Sequence, residues 1–248
     1  MTAPRPKGER LAVIYGYSLP EGTEPVTGDR IQVDGGGALP VEAIDGGDVV
    51  AIPRHGFDRS LPAHLIDHRA NITAVCELGC SRVLALGSAG SLDRDLKVGT
   101  FICPADFYAP EIAPSFYRDP RGHSIPGFDA DWRRVVISAW SSLTKTRVED
   151  GGIYAQTIGP RFETPAEVRA LGEIADMVGM TIASEAILAG EAALAYAAVC
   201  TIDNLANGLN DKPLTLAAYR EGRDRNAERL AADLSYVLPA LTTAVPGS

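Results

Sequence analysis

The sequence predicts an α/β domain built on a largely parallel sheet. Three observations carry that prediction. Short buried-strand signals at 11–14, 83–86 and 197–202 alternate with stretches of helical period. Hydrophobic residues make up 46% and charged residues 22%, a composition ample for a packed core. Gly (25) and Pro (17) supply the turns such alternation needs. The 248 residues fit one large domain or two small ones. No stretch reads as a linker, so one domain is expected over 11–241, between a flexible amino end (1–10) and a flexible tail (242–248).

Leu11-Ala12-Val13-Ile14 is the first strand signal, followed by the glycine-containing GYSLPEG. Ile31–Asp34 and Val49–Ile52 bracket a glycine-rich segment and read as antiparallel strands. Asp67–Leu78 has apolar residues at Ile72, Val75, Cys76 and Leu78, a helical period stopped by Gly79. Val83–Leu86 is a buried strand expected to end in a tight turn of small residues, Gly87-Ser88-Ala89-Gly90-Ser91. Thr100–Cys103 is another short strand. The proline-rich stretch 106–126 reads as loop and 131–143 as helix. Gly152–Ile158 is strand-like and runs into Gly159-Pro160-Arg161-Phe162-Glu163-Thr164. There Thr164 or Glu163 caps a helix that has Pro165 in its first turn and extends to about Ile174. Met177–Met180 is a short strand, Ser184–Ala195 a helix, Ala197–Ile202 a strand and Leu214–Leu238 a long helix.

Lys+Arg (23) against Asp+Glu (32) gives a net charge of −9. Such a surface repels phosphate backbones, so no nucleic-acid partner is expected. The longest apolar region, 182–202, is interrupted by Glu185 and Glu191, so no membrane span is expected. Four cysteines without a signal-like amino end read as reduced thiols in a cytoplasmic protein.

Strand ends in α/β proteins open into a ligand crevice, and four of them here carry polar residues. Arg54-His55-Gly56 offers a guanidinium and an imidazole suited to phosphate or carboxylate, or a surface salt bridge. The small residues at 87–91 let backbone N–H groups approach an anion; no Gly-Lys-Ser/Thr makes them a P-loop, and no G-x-S-x-G a hydrolase elbow. Phe162-Glu163 sets an aromatic face beside a carboxylate, fit to stack on a planar heterocycle and accept its N–H groups, or to serve as a core Phe and helix cap. Asn204, at the end of an apolar strand, can donate and accept at once, which suits a base edge. His64, Asp67 and His68 lie at helical spacing with no third ligand, so a solvated helix start is expected there and no metal. Cys76 and Cys80 read as small buried hydrophobes.

Taken together, RHG at 54–56, RANI at 69–72, GSAGSL at 87–92, SFY at 115–117, GPRFET at 159–164, MTIASEA at 180–186 and the strand end at Asn204 resemble the trimeric purine nucleoside phosphorylase and methylthioadenosine (methylthioinosine) phosphorylase family. The resemblance runs in order over about 11–207. It implies a three-layer nucleoside-phosphorylase-like fold, with a central mixed, largely parallel sheet flanked by helices. It also implies a homotrimer or dimer of trimers, inorganic phosphate as co-substrate, and neither cofactor nor metal.

By position, the resemblance assigns phosphate to Ser18, Arg54, His55, Ser88 and Thr181. It assigns the base to Ala89, Phe162, Glu163 and Asn204, and the ribose to Met180 and His123 of a neighbouring subunit. Asn204 and His55 are the catalytic candidates. Asn at position 204 matches members that use 6-oxopurines, where members that use adenine carry Asp; an amide donates to O6 while contacting N7. The implied reaction is phosphorolysis of a purine nucleoside to free base and ribose 1-phosphate. No histidine lies beyond 123 to meet a 5′-hydroxyl, which favours an apolar 5′ group such as methylthio. The first loop, Tyr15-Gly16-Tyr17-Ser18, departs from the family's Gly-Gly-Ser/Thr-Gly. That departure keeps a phosphate-independent N-ribosyl hydrolase and a non-catalytic nucleoside-binding protein open beside methylthioadenosine phosphorylase.

Overall fold

The computed structural model describes residues 3–16, 28–34 and 40–244. They form one α/β domain around a mixed sheet of eleven strands. In chain order the elements are β1 (Arg10–Tyr15), β2 (Asp29–Val33), β3 (Val41–Asp45), β4 (Val49–Pro53), α1 (His68–Glu77), β5 (Cys80–Ser91), β6 (Phe101–Cys103), β7 (Asp106–Tyr108), α2 (Ala130–Leu143), β8 (Val148–Asp150), β9 (Ile153–Gln156), α3 (Pro165–Leu171), β10 (Met177–Gly179), α4 (Ile182–Ala192), β11 (Ala195–Leu205) and α5 (Leu216–Thr243).

The sheet runs β2-β3-β4-β1-β5-β10-β9-β7, with β11, β6 and β8 following on the other edge of β5. The β1–β4, β1–β5, β5–β11, β9–β10, β7–β9 and β6–β8 pairings are parallel. β2–β3–β4 is an antiparallel meander: the strands read at 31–34 and 49–52 do not pair with each other but each pairs with β3, which the sequence reading left inside a glycine-rich segment. The fully covered central strands explain the continuous apolar runs of 11–14 and 195–202.

Side-chain alternation sorts the core into two layers. Ala12, Ile14, Val83, Ala85, Tyr196, Ala198 and Cys200 face α1 and α4. Leu11, Val13, Leu84, Leu86, Ala197 and Val199 face α2 and α5, where Trp132 and Trp140 are fully buried. Trp132 Nε1 donates to Val83 O at 2.8 Å, so this ring is both filler and anchor. The three-layer arrangement expected from the resemblance is the one observed.

Side-chain caps open α1 and α3, and the cap on α3 is the one the sequence predicts. Asp67 Oδ1 accepts from Ala70 N at the head of α1. Thr164 and Glu167 form a capping box on α3, with Pro165 at its first position. Ahead of β1, Ala3 is buried and Lys7 N donates to Cys76 O at 3.3 Å. Among the described residues, no helix is long and apolar enough to cross a membrane.

The structure departs from the sequence reading in several places. The segment 87–91 is not a turn: β5 runs straight through it to Ser91. The reason lies across the sheet, where β11 pairs with β5 from Ala195↔Arg82 to Leu205↔Ser91. A Cβ on Gly87 would lie 3.0 Å from Cys200 Sγ and 3.2 Å from Ile182, so crowding, not turning, requires that glycine. β7 and β8 are three-residue strands with little signal of their own; β9 and β6 recruit them. α3 stops at Leu171 because Gly172 caps it, and α4 begins at Ile182, two residues early. α5 continues through Pro239 to Thr243.

Candidate active site

Strand ends and helix starts converge on one cavity of about 670 Å³. Its lining includes Arg54 and His55 after β4, Ser88 and Ala89 from β5, Phe162 and Glu163 before α3, Met180 and Thr181 between β10 and α4, and Asn204 from β11. Nine residues singled out from the sequence thus share one cavity. Ser18, with Tyr17, lies outside the described residues. His123 is exposed, with Nδ1 2.9 Å from Pro120 O, and does not line the cavity.

One end has the chemistry to suit an anion. Arg54 is 3% exposed and is not the open guanidinium fork that its position suggests. Its Nε donates to Glu185 Oε1 at 2.6 Å and its Nη2 to Oε2 at 3.1 Å. Nη1 donates to Leu86 O at 2.8 Å and Nη2 also reaches Ile14 O at 3.2 Å. Among the described residues four of its five N–H donors are so engaged, and the fifth is on Nη1. Burial acts to lower the Arg54 pKa, and the Glu185 carboxylate overrides it, holding the guanidinium above its ordinary value. Glu185 is fully buried and also accepts from Tyr196 Oη at 2.8 Å.

The cavity wall at Gly16 explains that glycine. A Cβ there would stand 3.2 Å from Arg54 Nη1 and 3.5 Å from His55 Nε2. His55 Nδ1 is 2.7 Å from Leu61 O; a ring N–H given to that carbonyl leaves Nε2 as the acceptor nitrogen. Burial holds the His55 pKa below its usual value. Thr181 precedes the first residue of α4, and its hydroxyl makes no capping bond. The cavity therefore meets a helix N-terminus, whose backbone N–H groups and dipole favour an anion.

The other end suits a flat heterocycle. The Phe162 ring packs against Tyr219 of α5, centroids 5.7 Å apart at 59°. Glu163 is 5% exposed, and its Oε1 accepts from Thr157 Oγ1 at 2.6 Å. Asn204 Nδ2 donates to Leu205 O at 2.8 Å. Met180 forms a wall where Gly159 (φ +70°) lets the chain pass: a Cβ there would lie 2.6 Å from Met180 Sδ.

Sequence reasoning did not assign several residues that the structure places at the cavity or behind it. Tyr219 and Arg223 enter the lining from the start of α5 and Leu214 from just before it, a stretch that in sequence reads only as an amphipathic helix. Glu185 lies within MTIASEA, where an acidic residue in an apolar run is the one signal of a buried partner. His68 overturns the expected solvated helix start. Its side chain is 11% exposed, its Nδ1 is 3.8 Å from Glu185 Oε1, and burial pushes its pKa down to about 4. Among the described residues no group of three or more His, Cys, Asp and Glu is arranged to hold a metal ion.

The phosphorylase superfamily matches residues 31–239. The chain belongs to that superfamily. A probable 6-oxopurine nucleoside phosphorylase of Archaeoglobus fulgidus is 38% identical over 199 residues, covering 80% of this chain and 82% of its own. A probable S-methyl-5′-thioinosine phosphorylase of Methanothermobacter thermautotrophicus is 36% identical, covering 77% and 68%. The 6-oxopurine nucleoside phosphorylase of Pyrococcus furiosus is 34% identical, covering 78% of each chain. Among solved structures, methylthioadenosine phosphorylase from Schistosoma mansoni in complex with tubercidin superposes with a TM-score of 0.79 over 96% of this chain and 93% of that one. At 22% identity it shares the superfamily's fold.

Proposed function

We propose that this chain is a purine nucleoside phosphorylase, a pentosyltransferase that cleaves the N-glycosidic bond of a 6-oxopurine nucleoside with phosphate. 5′-Methylthioinosine and related 5′-modified nucleosides are within its range. The products are the free base and ribose 1-phosphate or its 5-modified form. One observation carries the reading: Arg54 and Asn204 at strand ends and Glu163 just before α3, far apart in sequence, line the same cavity. The names of the A. fulgidus and M. thermautotrophicus relatives support it.

The geometry suggests how the reaction runs. Phosphate sits between the fifth Arg54 N–H donor, on Nη1, the Ser88 backbone, Thr181 and the start of α4. His55 Nε2 accepts a hydrogen bond from a protonated phosphate oxygen. The base stacks on Phe162 while Glu163 accepts from its N1–H. As the C1′–N9 bond breaks, positive charge grows on the sugar and negative charge on the purine. The phosphate oxygen meets the first and forms the new C1′–O bond. Asn204 Nδ2 donates to O6, stabilising the second, and once N7 has gained a proton from solvent Asn204 Oδ1 accepts a hydrogen bond from N7–H; one such preorganised donor is worth about 3 kcal/mol. Met180 lies against the ribose, and His123 of the neighbouring subunit in a homotrimer closes its 5′ side. No cofactor enters this scheme, and a cytoplasmic setting suits four buried thiols free of disulfides.

The test is turnover of inosine, methylthioinosine and methylthioadenosine with and without phosphate. Phosphate-dependent release of hypoxanthine supports the reading. Turnover independent of phosphate would make the chain an N-ribosyl hydrolase, and binding without turnover a non-catalytic homologue. Faster release of adenine than of hypoxanthine would make it a methylthioadenosine phosphorylase.

A further inference from the structure

The register of β11 on β5 breaks at one point. Ile202 pairs with Ala89 and Asn204 with Gly90, so Asp203 is an extra residue in the ladder. A bulge of this kind re-aims the next side chain, and the next side chain is Asn204, which lines the cavity.

Asp203 is buried, and both carboxylate oxygens are held. Asn226 Nδ2, on α5, donates to Oδ1 at 2.9 Å and lies 3.5 Å from Ile202 O. Ser88 Oγ, on β5, donates to Oδ2. α5 closes on the bulge without clearance: a Cβ on Gly222 would fall 1.9 Å from Asp203 O. The bulge is therefore tied to the central strand on one side and to the last helix on the other.

Ser88 lines the cavity beside Arg54. With its hydroxyl proton given to Asp203, Ser88 Oγ offers only lone pairs to an incoming anion. Gly90 stands opposite Asn204, where a Cβ would lie 3.1 Å from Nδ2.

We propose that Asp203 is a positioning residue: from the β11 bulge it aims the Asn204 amide at the purine and turns the Ser88 hydroxyl away from phosphate. The inference rests on the proposed function, since it names what sets base preference and phosphate affinity in that site.

Two variants separate the two roles. Asp203→Ala removes both ties, so the preference for inosine over adenosine in kcat/KM falls about tenfold or more, the scale of a small misplacement of a binding group. Asp203→Asn keeps an acceptor for Asn226 but presents an N–H to Ser88, which frees the Ser88 proton for the cavity. Base preference then stays within about twofold, while KM for phosphate falls about fivefold, the scale of one net hydrogen bond. Asn226→Ala, remote from substrate, loosens the bulge from the α5 side and reproduces the Asp203→Ala loss of preference. A purely structural role predicts lower thermal stability with preference and phosphate KM unchanged, and that result would overturn the proposal.

Calorimetric titration with hypoxanthine and with adenine reads the same preference without turnover. If the wild type turns over no nucleoside but binds hypoxanthine over adenine, and Asp203→Ala abolishes the difference, the positioning role stands and the phosphorylase reading falls. A wild type that binds neither base overturns both.

Discussion

Replacing Glu185 by Gln is expected to destabilise the protein and to make that loss partly recoverable by phosphate. The side chain of Glu185 is 0% exposed and that of Arg54 2%, and the two share a bidentate ion pair of 2.6 and 3.1 Å. Gln is nearly isosteric, and its Oε1 still accepts from Arg54 Nε. Its amide N–H groups, however, face Arg54 Nη2, and the guanidinium is left buried without a counter-charge. Breaking a buried pair from one side costs about 3–5 kcal/mol. The retained Nε bond places this change near the lower end, about 3 kcal/mol. In a domain of this size each kcal/mol moves Tm by about 2–4 °C, so a fall of about 6–12 °C is expected. Phosphate then supplies the missing anion to Arg54. Its Tm increment, read by scanning calorimetry in amine buffer with and without saturating phosphate, should be larger in the variant than in the wild type. A variant within about 1 °C of wild type without phosphate, or a smaller phosphate increment, would refute the view of Arg54 as a neutralised anion site.

Asn204→Asp should shift kcat/KM from 6-oxo- toward 6-aminopurine nucleosides by about ten- to a hundredfold, because a carboxylate repels O6 and accepts from an amino group; an unchanged ratio removes Asn204 from base reading. Gly159→Ala, at φ +70° and with its Cβ 2.6 Å from Met180 Sδ, should raise KM for nucleoside and leave KM for phosphate unaltered in steady-state assays. Gly222→Ala lies inside α5, where Ala normally gains up to about 1 kcal/mol, yet overlap with Asp203 O reverses the sign; urea denaturation should show a loss. His68 titrates near 4 in the fold against 6.5 unfolded, chiefly through burial, so only the unfolded chain binds its proton between those values. Stability from this residue is therefore lost as pH falls below about 6.5, by about 2 kcal/mol at pH 5. Asp203, raised by burial to about 6, works in the opposite direction, so the check is the difference in urea midpoint between wild type and His68→Gln at pH 5 and 7.5.

The parts of the site that were legible in the sequence are those whose chemistry is local. Arg54, His55, Glu163 and Asn204 each follow or adjoin a strand signal, and a polar residue at such a junction points to a crevice whatever the tertiary detail. The layered sheet was legible because buried central strands leave apolar runs that nothing else explains. What stayed hidden depends on contacts between distant segments. The glycines of 87–91 signal a turn locally, and only their distant neighbours, Cys200 of β11 and Ile182 of α4 at Gly87 and Asn204 at Gly90, reveal them as clearance within a strand. The Asp203 bulge needs two strands in register to exist at all. Tyr219 becomes a cavity residue only because α5 docks against Phe162. His68 reads as a surface histidine until α4 brings Glu185 beside it.

The straight course of β5 through Ser88 and Gly90 gives the cavity a ruler. Ser88 stands at the anion end and Gly90 opposite Asn204 at the heterocycle end, two residues apart on one rigid strand, about 6.6 Å at 3.3 Å per residue. Neither end can drift from the other without breaking the central ladder. In the proposed reaction the purine and the phosphate are separate molecules, and that fixed span holds them at a common distance from the sugar carbon between them.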